Sequence, residues 1–237
     1  MKKKSVSIFV PVYNEESILK NSISQILRAA ASTKRDFEIF IVDDGSKDKT
    51  QNVGRELAKN SKVRYIRFEK GPTRRENLAK CFRYATKEII AFMDADLSAD
   101  LKYLKRLLDE IDSGNDIAIG SRYRGISSRR GFKRFFISSL YNFFMRLYFN
   151  SNIMDHQCGF KAFDRKVLFI LLESMGYDKS MRRGWFWDAE ILIRAQRKKY
   201  RIAEFAVKWN RSQKSTFNFK QELKMISYLI RLRKELG

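Results

Sequence analysis

The feature that most constrains the fold is a regular alternation of strand and helix patterns over the first 120 residues. Short apolar runs rich in β-branched residues alternate with longer segments whose apolar residues recur at helical spacing. This alternation predicts βαβ units and a mostly parallel sheet covered by helices. The predicted strands are 6–12, 37–42, 63–68, 89–94 and 116–120, and the predicted helices are 15–31, 48–60, 73–86 and 101–113.

The alternation ends near Gly120, where the composition changes. Aromatic and basic residues crowd segments 131–150 and 217–237, and neither continues the strand–helix rhythm. A length of 237 residues suits one α/β domain, and 44% apolar residues suffice for a core. We therefore predict a single domain over 1–237, with a scaffold half (1–120) and an elaborated half (121–237). Asn14 is a plausible cap for the first helix.

A pair of acids, Asp94 and Asp96, follows the apolar run 89–93 directly. Open α/β sheets bind ligands at the carboxyl ends of their strands. Two carboxylates so placed suit Mg²⁺ or Mn²⁺, ions that proteins often hold through one or two acids and the phosphates of a substrate. The alternative is a polar strand exit followed by a helix cap at Ser98 or Asp100.

Polar motifs also follow three other predicted strands. They are Pro-Val-Tyr-Asn-Glu at 11–15, Asp-Asp-Gly-Ser at 43–46 and Gly-Ser-Arg at 120–122. Because parallel strands bring their carboxyl ends to the same edge of a sheet, these motifs and the acid pair should share one rim. The sequence therefore predicts an active site along that rim.

The formal net charge of +22 predicts an anionic partner, which could be a membrane, a phosphorylated ligand or a nucleic acid. No acid lies between Asp116 and Asp155, and basic residues alternate there with aromatic ones. Segment 131–150 is therefore either a core helix or an amphipathic helix in a membrane interface, and one side could serve each purpose. We expect no transmembrane helix, since no run of about 20 apolar residues exists.

In their order, these motifs resemble those of family 2 glycosyltransferases with the GT-A fold. Segments 11–15, 42–46, 94–97 and 120–123 carry that resemblance. Later segments resemble the dolichyl-phosphate sugar synthases, namely 134–138, 155–161, 186–192 and 207–214. The resemblance covers nearly the whole chain. It implies a Rossmann-like, mostly parallel GT-A sheet flanked by helices, with C-terminal amphipathic interface helices and a nucleotide-sugar-binding half followed by an acceptor-binding half.

The resemblance also implies roles for individual residues. Asp94 and Asp96 would hold Mg²⁺ or Mn²⁺, Asp43 would accept a hydrogen bond from the base, and Lys214 would close over the diphosphate. The implied nucleotide-sugar-binding residues are Pro11, Tyr13, Asn14, Glu15, Asp43, Asp44, Lys70, Asp94, Ala95 and Lys214. The implied ligands of the acceptor phosphate are Arg122, Arg134 and Ser138.

Asp94, Asp96, Arg122 and Asp188 are the implied catalytic residues. A polyprenyl phosphate is already ionised at pH 7, so it can attack the sugar without a general base. We therefore favour an orienting or structural role for Asp188, and for the neighbouring Glu190, over proton abstraction.

His156 is the only histidine, and we predict that it is a structural residue instead of a metal ligand. We likewise predict that Cys158 is a small packed residue instead of a nucleophile. Ser98 stands where close relatives often carry Gln, which leaves open whether Ser98, His156 or water completes the metal shell. The basic loop 70–75 departs from its usual glycine-rich form, because it contains one glycine.

The expected protein is thus an inverting, metal-dependent glycosyltransferase that moves a sugar to a polyprenyl (dolichyl) phosphate. The form of segment 155–159 favours a UDP-sugar over a GDP-sugar as donor. We expect a cytoplasmic protein, attached peripherally to an anionic membrane surface, and a separate membrane-embedded partner stays open. The alternatives are transfer to a saccharide hydroxyl and, more distantly, a basic nucleic-acid-binding protein. No nucleic-acid motif is apparent, so we expect no nucleic-acid partner.

Overall fold

A seven-stranded sheet forms the centre of the computed structural model, which describes residues 3–73, 75–124, 132–176, 183–210 and 226–237. The strand order is β3-β2-β1-β4-β6-β5-β7. All neighbouring strands are parallel except at β6, which runs antiparallel between β4 and β5. The strands are β1 Val6–Val12, β2 Phe37–Asp43, β3 Val63–Arg67, β4 Ile89–Met93, β5 Ile117–Ser121, β6 Phe160–Asp164 and β7 Ile202–Ala206.

Eight helices within the described residues accompany the sheet. They are α1 Leu19–Ser32, α2 Thr50–Leu57, α3 Glu76–Cys81, α4 Leu104–Asp112, α5 Phe132–Phe149, α6 Arg165–Met175, α7 Trp187–Arg197 and α8 Ile226–Leu236. The predicted mostly parallel α/β fold is confirmed, and all five predicted strands are present. The sequence analysis did not predict β6, α6, α7 or β7. The two strands were missed because five-residue strands that contain Lys161 or Glu204 lack a continuous apolar run.

Successive side chains of the central strands enter two different cores, as the pleat requires. Ile8 belongs to the core under α1 and α4, whereas the next residue, Phe9, belongs to the core under α3, α6 and α7. Phe9 stacks on Phe40 of the neighbouring strand with ring centroids 4.5 Å apart. The two cores hold the sheet rigid, and the loops at its carboxyl edge are therefore built on a fixed base.

The prediction that Asn14 caps α1 is wrong. The helix begins four residues later than predicted, at Leu19, and no side chain caps it. Asn14 instead adopts a φ of 56°, and its Oδ1 accepts a hydrogen bond from the backbone N–H of Lys47 at 2.7 Å. The amide side chain therefore joins two loops of the rim. Asp100 does act as a cap: it accepts from the N–H of Lys102 at 3.0 Å.

Helix α5 has one packed side and one exposed side. Met145 and Phe149 are buried against residues of α7 and α8, in a third core cluster. Along the opposite side, six large apolar side chains keep 45–68% of their surface exposed: Phe136, Ile137, Leu140, Phe143, Phe144 and Leu147. In the described part of the chain, no helix combines the length and the hydropathy needed to cross a bilayer.

Candidate active site

The predicted rim exists, because β1, β2, β4 and β5 all run in the same direction. Hydrogen bonds tie its first two loops together. The N–H of Asp44 donates to the carbonyl of Val12 at 2.9 Å, and the N–H of Asn14 donates to Oγ of Ser46 at 3.0 Å. The loop after β1 therefore has a defined position next to the Asp43–Asp44 turn.

The acid pair lies at the carboxyl end of β4. The Asp94 side chain is 37% exposed, and Asp96 is exposed. Oδ1 of Asp96 accepts from the N–H of Ser98 at 3.0 Å, which orients the second carboxylate. Burial raises the pKa of Asp94, the charges of Asp96 and Asp188 raise it further, and Arg75 opposes the rise. A cation bound nearby would stabilise the charged form of Asp94 and so lower its pKa.

A glycine backs the first of these carboxylates. A Cβ atom on Gly159 would lie 1.9 Å from Oδ2 of Asp94, so only glycine leaves room for the acid in this position. Among the described residues no three His, Cys, Asp or Glu side chains gather as a metal site. Mg²⁺ and Mn²⁺ often bind through one or two carboxylates together with a substrate or water, so the oxygen ligands of Asp94 and Asp96 have the chemistry that such an ion requires.

Asp188 lies inside a buried charge network next to the acid pair. Its Oδ2 accepts from Nε of Arg75 at 2.9 Å, and its Oδ1 accepts from Nζ of Lys161 at 2.8 Å. Burial works to raise the pKa of Asp188, but the two cations outweigh it and lower that pKa. A carboxylate held between two cations is a weak base, so this geometry favours the orienting role over proton abstraction.

Two residues proposed for the nucleotide, Asp43 and Asp44, are buried and already engaged. Oδ2 of Asp43 accepts from the Tyr65 hydroxyl at 2.5 Å and from Nη1 of Arg67 at 3.0 Å. The sequence analysis missed both partners, which come from β3. Asp43 is 0% exposed, and its Oδ1 accepts from the N–H of Ser46 at 2.8 Å, so a base can reach this carboxylate only if the surroundings rearrange.

Asp44 anchors the basic loop that follows β3. Its Oδ2 accepts from the N–H of Thr73 at 2.7 Å, and its Oδ1 accepts from Nδ2 of Asn77 at 2.6 Å. Asn77 also donates to the carbonyl of Lys70, whose side chain stays exposed. The loop is therefore fixed at the rim, although it departs from the glycine-rich form.

The other proposed donor-site residues differ in their exposure. Pro11, near the end of β1, and Tyr13 and Glu15, on the loop after it, are half-buried, and Ala95 is buried between the two acids. Lys214 lies outside the described residues.

On the acceptor side, Arg122 forms a bidentate ion pair with the buried Asp155. Nε and Nη2 donate to the two carboxylate oxygens at 2.6 and 2.7 Å, so Nη1 is not engaged by Asp155. The guanidinium carbon lies 5.1 Å from the ring centroid of Trp209. Next along the chain, the Tyr123 hydroxyl lies 2.5 Å from Oγ of Ser138 on α5. Tyr123 thus links the loop that carries Arg122 to Ser138 on α5, while the Arg134 side chain lies outside the described residues.

His156 and Cys158 have the structural environment that the sequence analysis favoured. His156 is fully buried, with Nδ1 3.0 Å from Oδ1 of Asn142 and Nε2 2.9 Å from Oγ of Ser151. Burial lowers the pKa of His156 to about 4 and raises the pKa of the Cys158 thiol to about 12. Neither residue offers a free ligand or nucleophile at neutral pH. Ser98 is also buried, and its Oγ has no hydrogen-bond partner in the described part of the chain.

Glu190 attaches the C-terminal helix. It is 0% exposed, accepts from Nε of Arg194 at 2.8 Å and accepts from the Tyr228 hydroxyl of α8 at 2.6 Å. Arg183 donates to the same hydroxyl at 2.9 Å and to the carbonyl of Gly176 at 2.8 Å. The sequence analysis missed Arg183 and Tyr228, because one sequence does not reveal which distant charges meet.

The sheet order and the acidic rim define a GT-A-like α/β protein, and comparison with solved structures agrees. Glucosyl-3-phosphoglycerate synthase from Mycobacterium tuberculosis, solved with Mn²⁺, UDP and phosphoglyceric acid, superposes with a TM-score of 0.67 at 20% identity. The match covers 99% of this chain and 79% of that one. The mannosyltransferase PcManGT from Pyrobaculum calidifontis, solved with GDP-Man and Mn²⁺, gives 0.64 at 16% identity over 97% and 63% of the two chains.

The family model for glycosyl transferase family 2 matches residues 7–169. The chain belongs to glycosyltransferase family 2. It is 34% identical to glycosyltransferase AglD of Haloferax volcanii over 86% of this chain, and 30% identical to dolichyl-phosphate beta-glucosyltransferase ALG5A of Trichomonas vaginalis over 96% of it. The chain spans a third (33%) of the length of AglD and 72% of ALG5A.

Proposed function

We propose that this protein transfers a sugar from a UDP-sugar to a polyprenyl (dolichyl) phosphate, with inversion at the anomeric carbon, at the cytosolic face of a membrane. One observation carries the proposal. The acid pair suited to a metal–diphosphate follows β4, and Arg122, suited to a phosphate, follows β5, which runs in the same direction; Tyr123 links the Arg122 loop to Ser138 on α5, the helix that exposes an apolar face. The similarity to dolichyl-phosphate glucosyltransferases supports the same acceptor class.

On the donor side, Asp94 and Asp96 would hold Mg²⁺ or Mn²⁺. When bound, the metal neutralises charge on the leaving nucleoside diphosphate. Tyr13 and Glu15, half-buried on the loop after β1, would bind the nucleoside, and Lys70 of the Asp44-anchored loop would face the diphosphate. These residues bind and orient the donor, and none of them needs to move a proton.

On the acceptor side, Arg122 would bind the phosphate. Its ion pair with Asp155 and its stacking on Trp209 hold the guanidinium in one orientation, and a guanidinium matches phosphate oxygens well. An ionised phosphate oxygen attacks the anomeric carbon while the bond to the leaving diphosphate breaks. Because the nucleophile already carries its charge, the protein supplies positioning and electrostatic stabilisation rather than a general base.

The exposed side of α5 would rest in the membrane interface. A helix with aromatic and aliphatic residues on one side and basic residues nearby is typical of interfacial attachment, and the net charge of +22 favours an anionic surface. Peripheral attachment through this side would bring a lipid-anchored phosphate to the rim, next to Ser138.

The second candidate is transfer to a saccharide hydroxyl with the same donor. A hydroxyl acceptor needs a general base, and the candidate base Asp188 is held between Arg75 and Lys161. This geometry favours the phosphate acceptor. A nucleic-acid partner is disfavoured by the acids of the rim, which repel a phosphate backbone.

A transfer assay tests the proposal. The protein is incubated with radiolabelled UDP- and GDP-sugars, a polyprenyl phosphate, and Mg²⁺ or Mn²⁺, and the lipid is extracted into organic solvent. Label from a UDP-sugar in the lipid fraction is the expected result, with loss of transfer in Asp96→Asn, whose exposed side chain makes a folding defect improbable. Label that enters only a water-soluble saccharide would replace the proposal with the second candidate.

A further inference from the structure

Arg75 connects the first acid of the rim to the interior of the protein. Its Nη2 lies 3.2 Å from Oδ1 of Asp94, and its Nε lies 2.9 Å from Oδ2 of Asp188. The Arg75 side chain is 11% exposed, and the Asp188 side chain is 4% exposed. One guanidinium therefore bridges a rim carboxylate and a carboxylate in the core.

The inner end of this bridge is fixed independently. Lys161 of β6 is 0% exposed and donates to Oδ1 of Asp188 at 2.8 Å and to the carbonyl of Cys158 at 2.5 Å. The Arg75 and Lys161 cations also both pack against the ring of Phe92, at 5.0 and 5.5 Å from its centroid. Asp188, on α7, is thus held by Lys161 of β6 independently of Arg75, and it can act as an anchor for Arg75.

The outer end has little freedom either. The main chain at Gly159 lies directly against the Asp94 carboxylate, where a Cβ would come within 1.9 Å of Oδ2. The carboxylate is confined by Arg75 through Oδ1 and by Gly159 on another side. Hydrogen bonds from outer residues commonly orient the carboxylates that bind metals, and their loss weakens metal binding.

The geometry points to Arg75 as a positioning residue that holds Asp94 in the orientation needed for the divalent cation, with Asp188 and Lys161 as its anchor. This inference rests on the proposed function, because it takes Asp94 as a metal ligand. It assigns Asp188 an action through Arg75 on the metal-binding acid, instead of a direct part in proton transfer.

The informative change is Arg75→Lys. Lysine keeps the positive charge, so the electrostatic repulsion between this site and a cation stays nearly constant. A single ammonium lacks the planar fork through which Arg75 reaches both carboxylates in fixed directions. The variant therefore isolates the loss of geometry from the loss of charge.

The chain offers a matched control in Arg35. Its side chain is 0% exposed, and its Nη2 bridges Asp109 and Asp112 at 2.6 and 2.7 Å, just before the amino end of β2 and away from the rim. Arg35→Lys breaks a comparable buried bridge without touching the acid pair. A change seen in Arg75→Lys and absent from Arg35→Lys is then specific to the site.

Mn²⁺ binding to the full chain is measured by the electron paramagnetic resonance signal of free Mn²⁺, with saturating UDP and, in parallel, GDP. We expect Arg75→Lys to raise the Kd for Mn²⁺ by about 10- to 100-fold, and Arg35→Lys to leave it within about twofold of wild type. Circular dichroism and thermal unfolding verify the fold of each variant. Asp188→Asn is the second variant, and it should also raise the Kd for Mn²⁺, because it removes the anchor of Arg75.

An unchanged Kd for Mn²⁺ in folded Arg75→Lys would overturn the inference and leave the proposed function standing. The inference would also fail if Asp188→Asn abolished turnover at saturating Mn²⁺ with its Kd unchanged, because that result identifies a base. If the wild-type chain bound no Mn²⁺ with either nucleotide, the proposed function and the inference would fall together.

Discussion

The exposed side of α5 yields the most quantitative prediction. Leu140 and Leu147 keep 58% and 68% of their surface exposed, and they lie seven residues apart on the same side of the helix. Replacing both with alanine removes apolar surface that would enter the lipid. The double variant should bind anionic vesicles more weakly and keep its fold, because neither side chain is buried.

The size of the effect follows from the exposed fractions. Leucine exceeds alanine by three carbon groups, which are worth about 2.4 kcal/mol when fully transferred from water at about 0.8 kcal/mol each. Scaled by exposures of 58% and 68%, the two changes together cost about 3 kcal/mol if all the exposed surface enters the lipid. If only half of the exposed surface enters the lipid, the double substitution costs about 1.5 kcal/mol. Binding of the double variant to vesicles should therefore be weaker than that of wild type by about 10- to 100-fold.

The assay is co-sedimentation with vesicles that contain about 30% anionic lipid, performed at low salt, where screening is weak. The matched control is Tyr84→Ala with Ile170→Ala, which removes two apolar side chains that are 43% and 44% exposed, one on the 3₁₀ helix Phe82–Tyr84 and one on α6. The control should bind like wild type, and all three proteins should unfold at similar temperatures.

Equal vesicle binding by wild type and the α5 variant would refute the reasoning. A loss in the control as large as the loss in the α5 variant would also refute it, because the effect would then depend on apolar content and not on this surface. A wild-type protein that ignores anionic vesicles at low salt would remove the interfacial helix from the proposed function.

Three further predictions concern buried groups. Gly159→Ala should abolish Mn²⁺-dependent nucleotide binding measured by calorimetry, because the added Cβ displaces the Asp94 carboxylate. Unchanged binding would show that the close contact between Gly159 and Asp94 does not matter for the metal. The pKa of His156 is about 4 in the folded protein and 6.5 in the unfolded chain, so between these pH values only the unfolded state binds the proton. The free energy of unfolding in urea should therefore fall by about 3 kcal/mol from pH 7 to pH 4, and by less in His156→Gln. The same pH dependence in both proteins would exclude His156 as the cause. Tyr228→Phe removes a hydrogen-bond donor from buried Glu190 and should lower the free energy of unfolding in urea by about 1–3 kcal/mol. An unchanged free energy of unfolding would show that this hydrogen bond does not anchor α8.

The first half of the fold was predictable because its signals are local. The apolar runs of β1 to β5 and the helical spacing between them are visible within single elements, and the rim follows from parallel strands. β6 was missed because it lacks such a local signal. Its alternation contains Lys161, whose burial makes sense only once Asp188 of α7 lies beside it.

The two readings of α5 also needed the folded chain. Its aromatic residues surround much of the helix, so periodicity alone left both a core helix and an interface helix open. Contacts with Phe186 and Tyr228 bury one side, and no described element covers the six residues of the other. The packed side confirms the core environment, and the exposed apolar side leaves the membrane interface as a prediction.

By itself, the sequence determined five of the seven strands, the rim and the residue types that stand there, because strand pattern and motif spacing depend on residues close in the chain. Only the tertiary structure decided which charges meet. Arg75 donates to Asp188, 113 positions away in the sequence, and Tyr65 donates to Asp43, 22 positions away. Such pairings depend on how whole elements pack, and a charged residue carries no local signal of the distant partner that will compensate it.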